Sequence, residues 1–153
     1  VPVPNGIAVV ADNTCRAQKG MDALNPQFTG GETIQLSSQN IHNKLITALD
    51  EEGKAKIDTE QFLDLEYEVP FLAHSTLEPM NCTANVKESS CEVWVPTQTQ
   101  GMSMDVTKEI TGLNNEQIKI NTTLLGGGFG RRSETDFVTQ AVTISKSLIF
   151  ISL

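Results

Sequence analysis

"LLGGGFGRRSETDF" runs from Leu124 to Phe137. Four glycines set around one phenylalanine lead into two arginines and then into a helix-start signal. Upstream, "EQIKINTTLL" (Glu116–Leu125) reads as a strand. Downstream, Ser133 and Asp136 match an S-x-x-D capping box, and Phe137, Ala141, Ile144 and Leu148 recur at helical spacing. The stretch is therefore read as a turn between a strand and a helix. Glycine lets the main chain take positive φ and lets a ligand approach with no Cβ in the way. The N–H groups at a helix start point outward and favour negative charge. Arg131 and Arg132 at that same end are disfavoured by the helix dipole, a cost that a bound phosphate or similar anion would reverse. The spacing is neither that of a P-loop nor that of a dinucleotide-binding turn, since Arg stands at 131 where the latter needs glycine. On these residues alone an anion cradle and a plain tight turn with two solvated arginines both stand.

The surrounding chain limits what such a cradle can serve. Its 153 residues suit one domain or two small ones. A net charge of −8 and a pI near 4.7 argue against a nucleic-acid surface, so any anion site is local. No apolar run approaches the ~18 residues of a membrane span, and no signal-peptide pattern opens the chain. The start "VPVPNGIAVVAD" and the apolar end "SKSLIFISL" lead us to expect a piece of a longer protein. Cys15, Cys82 and Cys91 form no C-x-x-C pair, which argues against an iron–sulfur or zinc site built from this chain alone. Three reduced, mostly buried thiols are expected, with Cys82 and Cys91 able to face each other on a hairpin.

"GIAVVA" (Gly6–Ala11) reads as a buried strand, followed by a helix capped by Asp12, carrying Ala17, Met21 and Leu24, and ended by Asn25-Pro26. "TGGET" is a loop. Ser37 or Ser38 opens a second helix, with Ile41, Leu45 and Leu49 on one face and Gly53 as its stop. "QFLDLEYEVP" alternates like a strand. "CTANVK" and "CEVWVP" read as two more strands joined by the turn "ESS". Thr97 and Gln100 make a T-x-x-Q capping box for a third helix, whose buried stripe is Met102, Val106 and Ile110 and whose stop is Gly112. The fold class is thus α+β, a mixed sheet with helices packed on it. A composition shift over "GKAKIDTE" (residues 53–60) suggests a preceding α/β segment at 1–55 and a second domain at 56–153.

Two further places carry candidate chemistry. His74 and Glu78 stand four apart, a spacing that could chelate a metal on a helix. Pro79 and the strand-like flanks argue against that helix, and a buried histidine with a hydrogen-bond partner is the preferred reading. Gln98 stands where a strand ends and a helix begins. A neutral amide there can donate to a ligand oxygen without adding charge, or simply help to cap the helix.

"EYEVPFLAHSTLEPMNCTANV" (Glu66–Val86), "CEVWVPTQTQ" (Cys91–Gln100) and "LGGGFGRRSETDFVTQAVTISK" (Leu125–Lys146), in this order and spacing, resemble the large subunits of molybdenum hydroxylases, the xanthine oxidase superfamily. The nearest branch is the isoquinoline 1-oxidoreductase and aldehyde dehydrogenase type, which "PNGIAVVADNTCRAQKGMDAL" (Pro4–Leu24) also resembles. The resemblance covers nearly the whole chain. It implies a molybdopterin-binding domain in an enzyme that hydroxylates aldehydes or electron-poor N-heterocycles with oxygen from water. The implied cofactor is molybdenum on a pterin, in its cytosine dinucleotide form, with electrons leaving through an iron–sulfur subunit or domain. Gln98 matches the glutamine that bonds an apical molybdenum ligand. Gly127, Gly128, Phe129 and Gly130 match the loop lying against pterin and metal, with the Phe129 N–H presented and its ring packed away. Arg131 fits as a phosphate or pterin contact. The family's catalytic glutamate lies near its far C-terminus, so no catalytic residue and no metal ligand is assigned here, and the chain by itself is expected to be inactive and without cofactor. After "TISK" the family pattern of a Gly-Lys-Pro turn gives way to "SLIFISL". The competing reading is a non-catalytic anion- or nucleotide-binding scaffold domain. Either a cytoplasmic or a periplasmic location fits.

Overall fold

The computed structural model describes residues 1–52, 65 and 67–149. They group into two compact units, one made of Val1–Asn25 together with the chain from His74 onward, the other of Pro26–Ala73. The expected division at 55/56 falls outside the described residues.

The first unit is built on a three-stranded sheet of β3 (Thr83–Val86), β4 (Cys91–Val95) and β5 (Ile118–Thr122), in the order β3-β4-β5. β3 and β4 form the expected antiparallel hairpin, with Val86 opposite Cys91. β4 and β5 run parallel, with Val93 opposite Ile120. A parallel pair cannot be closed by a tight turn and needs a crossover. Helix α3 (Gln100–Thr111) supplies it. Helix α4 (Asp136–Ile149) packs against β3 and α3. The sheet is therefore mixed and the fold α+β, as the periodicity implied.

The core is Val86, Cys91, Val93, Val95 and Ile118 from the sheet, closed by Phe137, Val138 and Val142 of α4. Each such side chain, fully buried, contributes roughly 1.5–3 kcal/mol. The core face of α4 thus centres on Val138 and Val142, a rotation from the expected Ala141, Ile144 and Leu148. In α3 the fully buried residues are Ser103 and Thr107, while Met102 is 54% exposed. The two hydroxyls can be buried because each is satisfied within the helix: Thr107 Oγ1 donates to the Ser103 carbonyl at 2.7 Å and Ser103 Oγ to the Thr99 carbonyl at 3.0 Å.

Several expected caps move by a few residues. Thr99, not Thr97, precedes α3, with no side-chain cap; Thr97 Oγ1 accepts instead from the Thr99 N–H. The expected Ser133–Asp136 box is absent, because Ser133 belongs to a separate 3₁₀ turn at Arg131–Ser133 and α4 opens at Asp136. Gly112 ends α3 in the left-handed region, as read from the sequence.

Near the N-terminus, β1 (Pro2–Val3) pairs with β2 (Gly6–Ile7) in a small hairpin. "GIAVVA" is therefore not a buried strand: only its first two residues pair, and Ile7 is half-exposed. Helix α1 (Thr14–Leu24) is capped by Asn13, whose side chain accepts from the Arg16 N–H, while Asp12 forms an ion pair with Arg16. Asn25 closes α1 in the left-handed region.

In the second unit, α2 (Ser38–Glu52) is opened by a reciprocal pair: the Asn40 N–H donates to Ser37 Oγ, and the Ser37 N–H donates to Asn40 Oδ1. Gly53 lies outside the described residues, as does most of "QFLDLEYEVP". Its described positions, 65 and 67–70, form no strand. No helix among the described residues is long and apolar enough to cross a membrane.

Candidate functional site

The glycine stretch leaves β5 and returns over the C-terminal end of β4. This brings together Gln98, Gly128 and Gly130, residues about thirty apart in sequence. Gln98 Oε1 accepts from the Gly130 N–H at 3.2 Å and from the Arg132 N–H at 3.3 Å. Two backbone donors on one atom fix which end of the amide is oxygen. The Nε2 end is left as a donor with no hydrogen-bond partner among the described residues. Gln98 is exposed and caps nothing, so the helix-cap reading of its side chain is set aside.

The loop itself is unusual in backbone conformation. Gly127, Phe129 and Gly130 all have positive φ, of 104°, 52° and 86°. The amides of Gly126, Gly130, Arg131 and Arg132 are all bonded, to Glu78, Gln98, the Gly128 carbonyl and Gln98 respectively. Those of Gly127, Gly128 and Phe129 have no partner among the described residues. Three consecutive free N–H groups beside a free carboxamide donor form an acceptor-binding surface. The Phe129 ring is 69% exposed, not packed away. A left-handed backbone there turns the ring out and over Gly127, whose ideal Cβ would fall 3.3 Å from Phe129 Cε2.

The two arginines part company. Arg131 makes a two-point ion pair with Asp136, at 2.9 and 2.8 Å. That bond raises the guanidinium's affinity for its proton and holds the Asp136 carboxyl below the usual range. The dipole argument is met locally, because Asp136 neutralises Arg131 at the first turn of α4. Arg132 is completely buried. Its Nε donates to the Gly127 carbonyl at 2.8 Å, and its Nη2 donates to Glu78 Oε2 at 2.8 Å and to the Glu78 carbonyl at 3.0 Å. Its Nη1 is buried with no acceptor among the described residues.

Glu78 also accepts from the Gly126 N–H at 2.9 Å and from Asn81 Nδ2 at 2.9 Å. The Gly126 amide is the first cause, and the Asn81 bond the second, of a carboxyl held below its ordinary range. His74, in contrast, is exposed and lies with Glu78 on an irregular segment, so the preferred reading of a buried histidine is corrected. No cluster of three metal-ligating side chains occurs among the described residues. Sequence reading missed Arg132 and Glu78 as a pair. The only signal was the doubled arginine after the glycines, and nothing local says which arginine turns inward.

Comparison with known proteins gives the context. Residues 35–148 match the family described as the molybdopterin cofactor-binding domain. The chain belongs to that family. Gln98, Glu78 and the whole glycine loop fall inside the matched molybdopterin-domain residues. The chain is also similar to a protein of Gluconacetobacter polyoxogenes named membrane-bound aldehyde dehydrogenase (pyrroloquinoline-quinone), 28% identical over 95% of this chain and 20% of that protein. It therefore spans about a fifth of the length of this relative. No solved structure matches.

The donor set fits a molybdopterin. The pterin and its phosphate present oxygen and nitrogen acceptors, and the loop offers the amides of 127–129 together with Gln98 Nε2. Gly128 is pressed against Gln98, where a Cβ would fall 2.9 Å from Cδ, so glycine there lets the carboxamide lie directly against the loop main chain.

Proposed function

We propose that this chain forms part of the cofactor seat of a molybdopterin-dependent oxidoreductase acting on aldehydes. The observation that carries this reading is the run of three unpartnered amides at 127–129 beside the anchored, half-free carboxamide of Gln98. In the proposed seat, Gln98 Nε2 would donate to an oxygen of the bound cofactor. Gly127, Gly128 and Phe129 present N–H groups to the pterin side, and Gly130 lets the chain turn away. Arg131 contacts the phosphate, sharing its guanidinium with Asp136. When bound, the cofactor supplies the two-electron chemistry by which oxygen from water enters a C–H bond of an aldehyde or an N-heterocycle. The chain's own part is to bind and orient it and to fix the direction of its donors.

Aldehydes are preferred over N-heterocycles because the curated relative's name is that of an aldehyde dehydrogenase. That name also carries pyrroloquinoline quinone. Molybdopterin is preferred for this chain because the matched family residues cover both Gln98 and the glycine loop. The cytosine dinucleotide form and an iron–sulfur partner are part of the same proposal, and rest on the resemblance of the three motifs.

The test is made on the full-length protein. Molybdenum is measured by mass spectrometry, pterin by fluorescence after oxidation, and turnover with aliphatic aldehydes and an artificial electron acceptor. Stoichiometric molybdenum and pterin with aldehyde oxidation are expected. A protein carrying pyrroloquinoline quinone without molybdenum, or neither group and no activity, would replace this reading, the latter with the scaffold alternative.

A further inference from the structure

Arg132 is the one charged residue that is fully buried among the described residues. We propose that Arg132, paired with Glu78, is the positioning residue of the glycine loop, setting the direction of the free amides at 127–129 and of the Gln98 carboxamide. This deepens the molybdopterin reading and rests on it.

The bonds of this one residue join Glu78, Thr97, Gln98 and Gly127. Its guanidinium holds the Gly127 carbonyl and both the carboxylate and the carbonyl of Glu78. Glu78 in turn brackets Gly126, accepting from its N–H at 2.9 Å and donating its own N–H to the Gly126 carbonyl at 3.1 Å. The peptide groups that carry the Gly127 and Gly128 amides are thus held at their carbonyls, one by the Glu78 N–H and the other by Arg132 Nε. The Arg132 main chain does the same for Gln98. Its carbonyl accepts from the Gln98 N–H at 3.0 Å and from Thr97 Oγ1 at 3.3 Å, and its N–H donates to Gln98 Oε1. Three segments distant in sequence, at 78, 97–98 and 126–127, meet on it.

Physical chemistry gives the reason for a buried charge here. A loop with three residues at positive φ, one of them Phe129, persists only where its surroundings over-determine it. A dehydrated guanidinium does this well, because losing any of its acceptors leaves a buried charge unpaired. Within the guanidinium, only Nη1 lacks an acceptor among the described residues, and it lies buried with the rest of the side chain. Arg131 cannot take the role, since it is bound to Asp136 at the surface.

The experiment uses the full-length protein carrying Arg132→Lys, Glu78→Gln, Gly128→Ala or Val142→Ala. Molybdenum and pterin content are read against melting temperature. Outer partners of a metal site commonly change metal affinity by 10–100-fold, so R132K and E78Q are expected to lower cofactor retention about tenfold. V142A truncates the core away from the loop and is expected to lower the melting temperature with full cofactor content. If R132K does not accumulate, the isosteric E78Q decides alone. Native-sized E78Q with full molybdenum and pterin overturns the proposal, as does loss of cofactor from V142A in step with its melting temperature. If G128A loses cofactor while E78Q retains it, the site stands and the clamp falls. If G128A also retains it, the site reading itself fails.

Discussion

Gly128 lies against the carboxamide of Gln98, so that a β-carbon at 128 would come within 2.9 Å of both Cδ and Oε1. The contact explains why a strand end and a turn thirty residues later behave as one surface. The Gln98 oxygen is held by two amides of the loop, and the glycine leaves room for it.

The first prediction separates glycines by what a methyl group would meet. Gly128→Ala pushes the end of the Gln98 side chain and breaks its two backbone bonds, a loss of about 1–2 kcal/mol. Gly126→Ala places Cβ 2.3 Å from Glu78 Cβ, the root of a side chain that cannot swing away. It is expected to cost more, about 2–3 kcal/mol. Gly101, on the exposed start of α3, has nothing within 4 Å, and Gly101→Ala should stabilise by about 0.5 kcal/mol. Urea unfolding of the three variants gives the order directly. A G126A as stable as G101A would mean that the loop does not pack on Glu78.

Phe129 carries a second prediction. Its left-handed backbone costs a residue other than glycine roughly 1–2 kcal/mol, and its exposed ring returns little by packing. Phe129→Gly relieves that strain and adds freedom to the unfolded chain, an opposing effect of about 0.5–1 kcal/mol. The net change is expected to be between zero and about 1.5 kcal/mol in favour of the variant. Thermal melts that fall instead would show the ring contributing contacts of its own.

Much of this fold can be read from local pattern. The hairpin of β3 and β4, strand β5, and the helix stops at Asn25 and Gly112 follow from two-residue alternation, β-branched runs and residues that tolerate positive φ. What escapes local pattern is what depends on partners far along the chain. Ser103 and Thr107 fall outside the expected stripe of Met102, Val106 and Ile110, yet they are buried, because each hydroxyl is satisfied one helical turn back. "GIAVVA" reads as a core strand, yet only Gly6–Ile7 pairs, on the small β1 hairpin. For the site, the closeness of Gln98 to the glycines was legible through the resemblance of three motifs. The inward turn of Arg132 was not, because its cause is Glu78, more than fifty residues earlier. Arg131, two bonds from Asp136, had the same local signal and the opposite fate.

The thiols supply a third prediction. Three mostly buried cysteines were expected, whereas Cys15 is exposed, Cys82 half-buried and Cys91 buried. Burial pushes the Cys82 thiol up to about 12, with Cys91 nearby adding to the shift, and burial also raises Cys91. The thiolate is the reactive form. At pH 8, iodoacetamide should therefore modify Cys15 first and leave Cys82 and Cys91 until the chain unfolds. Peptide mass spectrometry over a time course reads the order. Early modification of Cys82 would place that strand end in solvent.

The acid side of the stability curve tests the two carboxylates of the loop. Asp136 is held below its ordinary 3.8, chiefly by its bond to Arg131, and Glu78 below its ordinary 4.5, chiefly by the Gly126 amide. A folded-state pKa lower than the unfolded one means that the unfolded chain binds protons more readily. The stabilisation is then complete above the ordinary values and is lost as pH falls through the lowered ones. Both side chains of the Arg131–Asp136 pair are partly exposed, at 30% and 50%, so solvent screens it. Asp136→Asn should cost only about 0.5 kcal/mol at neutral pH. The difference from the parent chain should shrink as pH drops below the ordinary carboxylate range, and vanish once Asp136 is protonated in the parent as well. Chemical unfolding at a series of pH values follows this gap. A gap that stays constant into strong acid would assign the loss to the helix start itself rather than to the charge, and would release Arg131 from its partner.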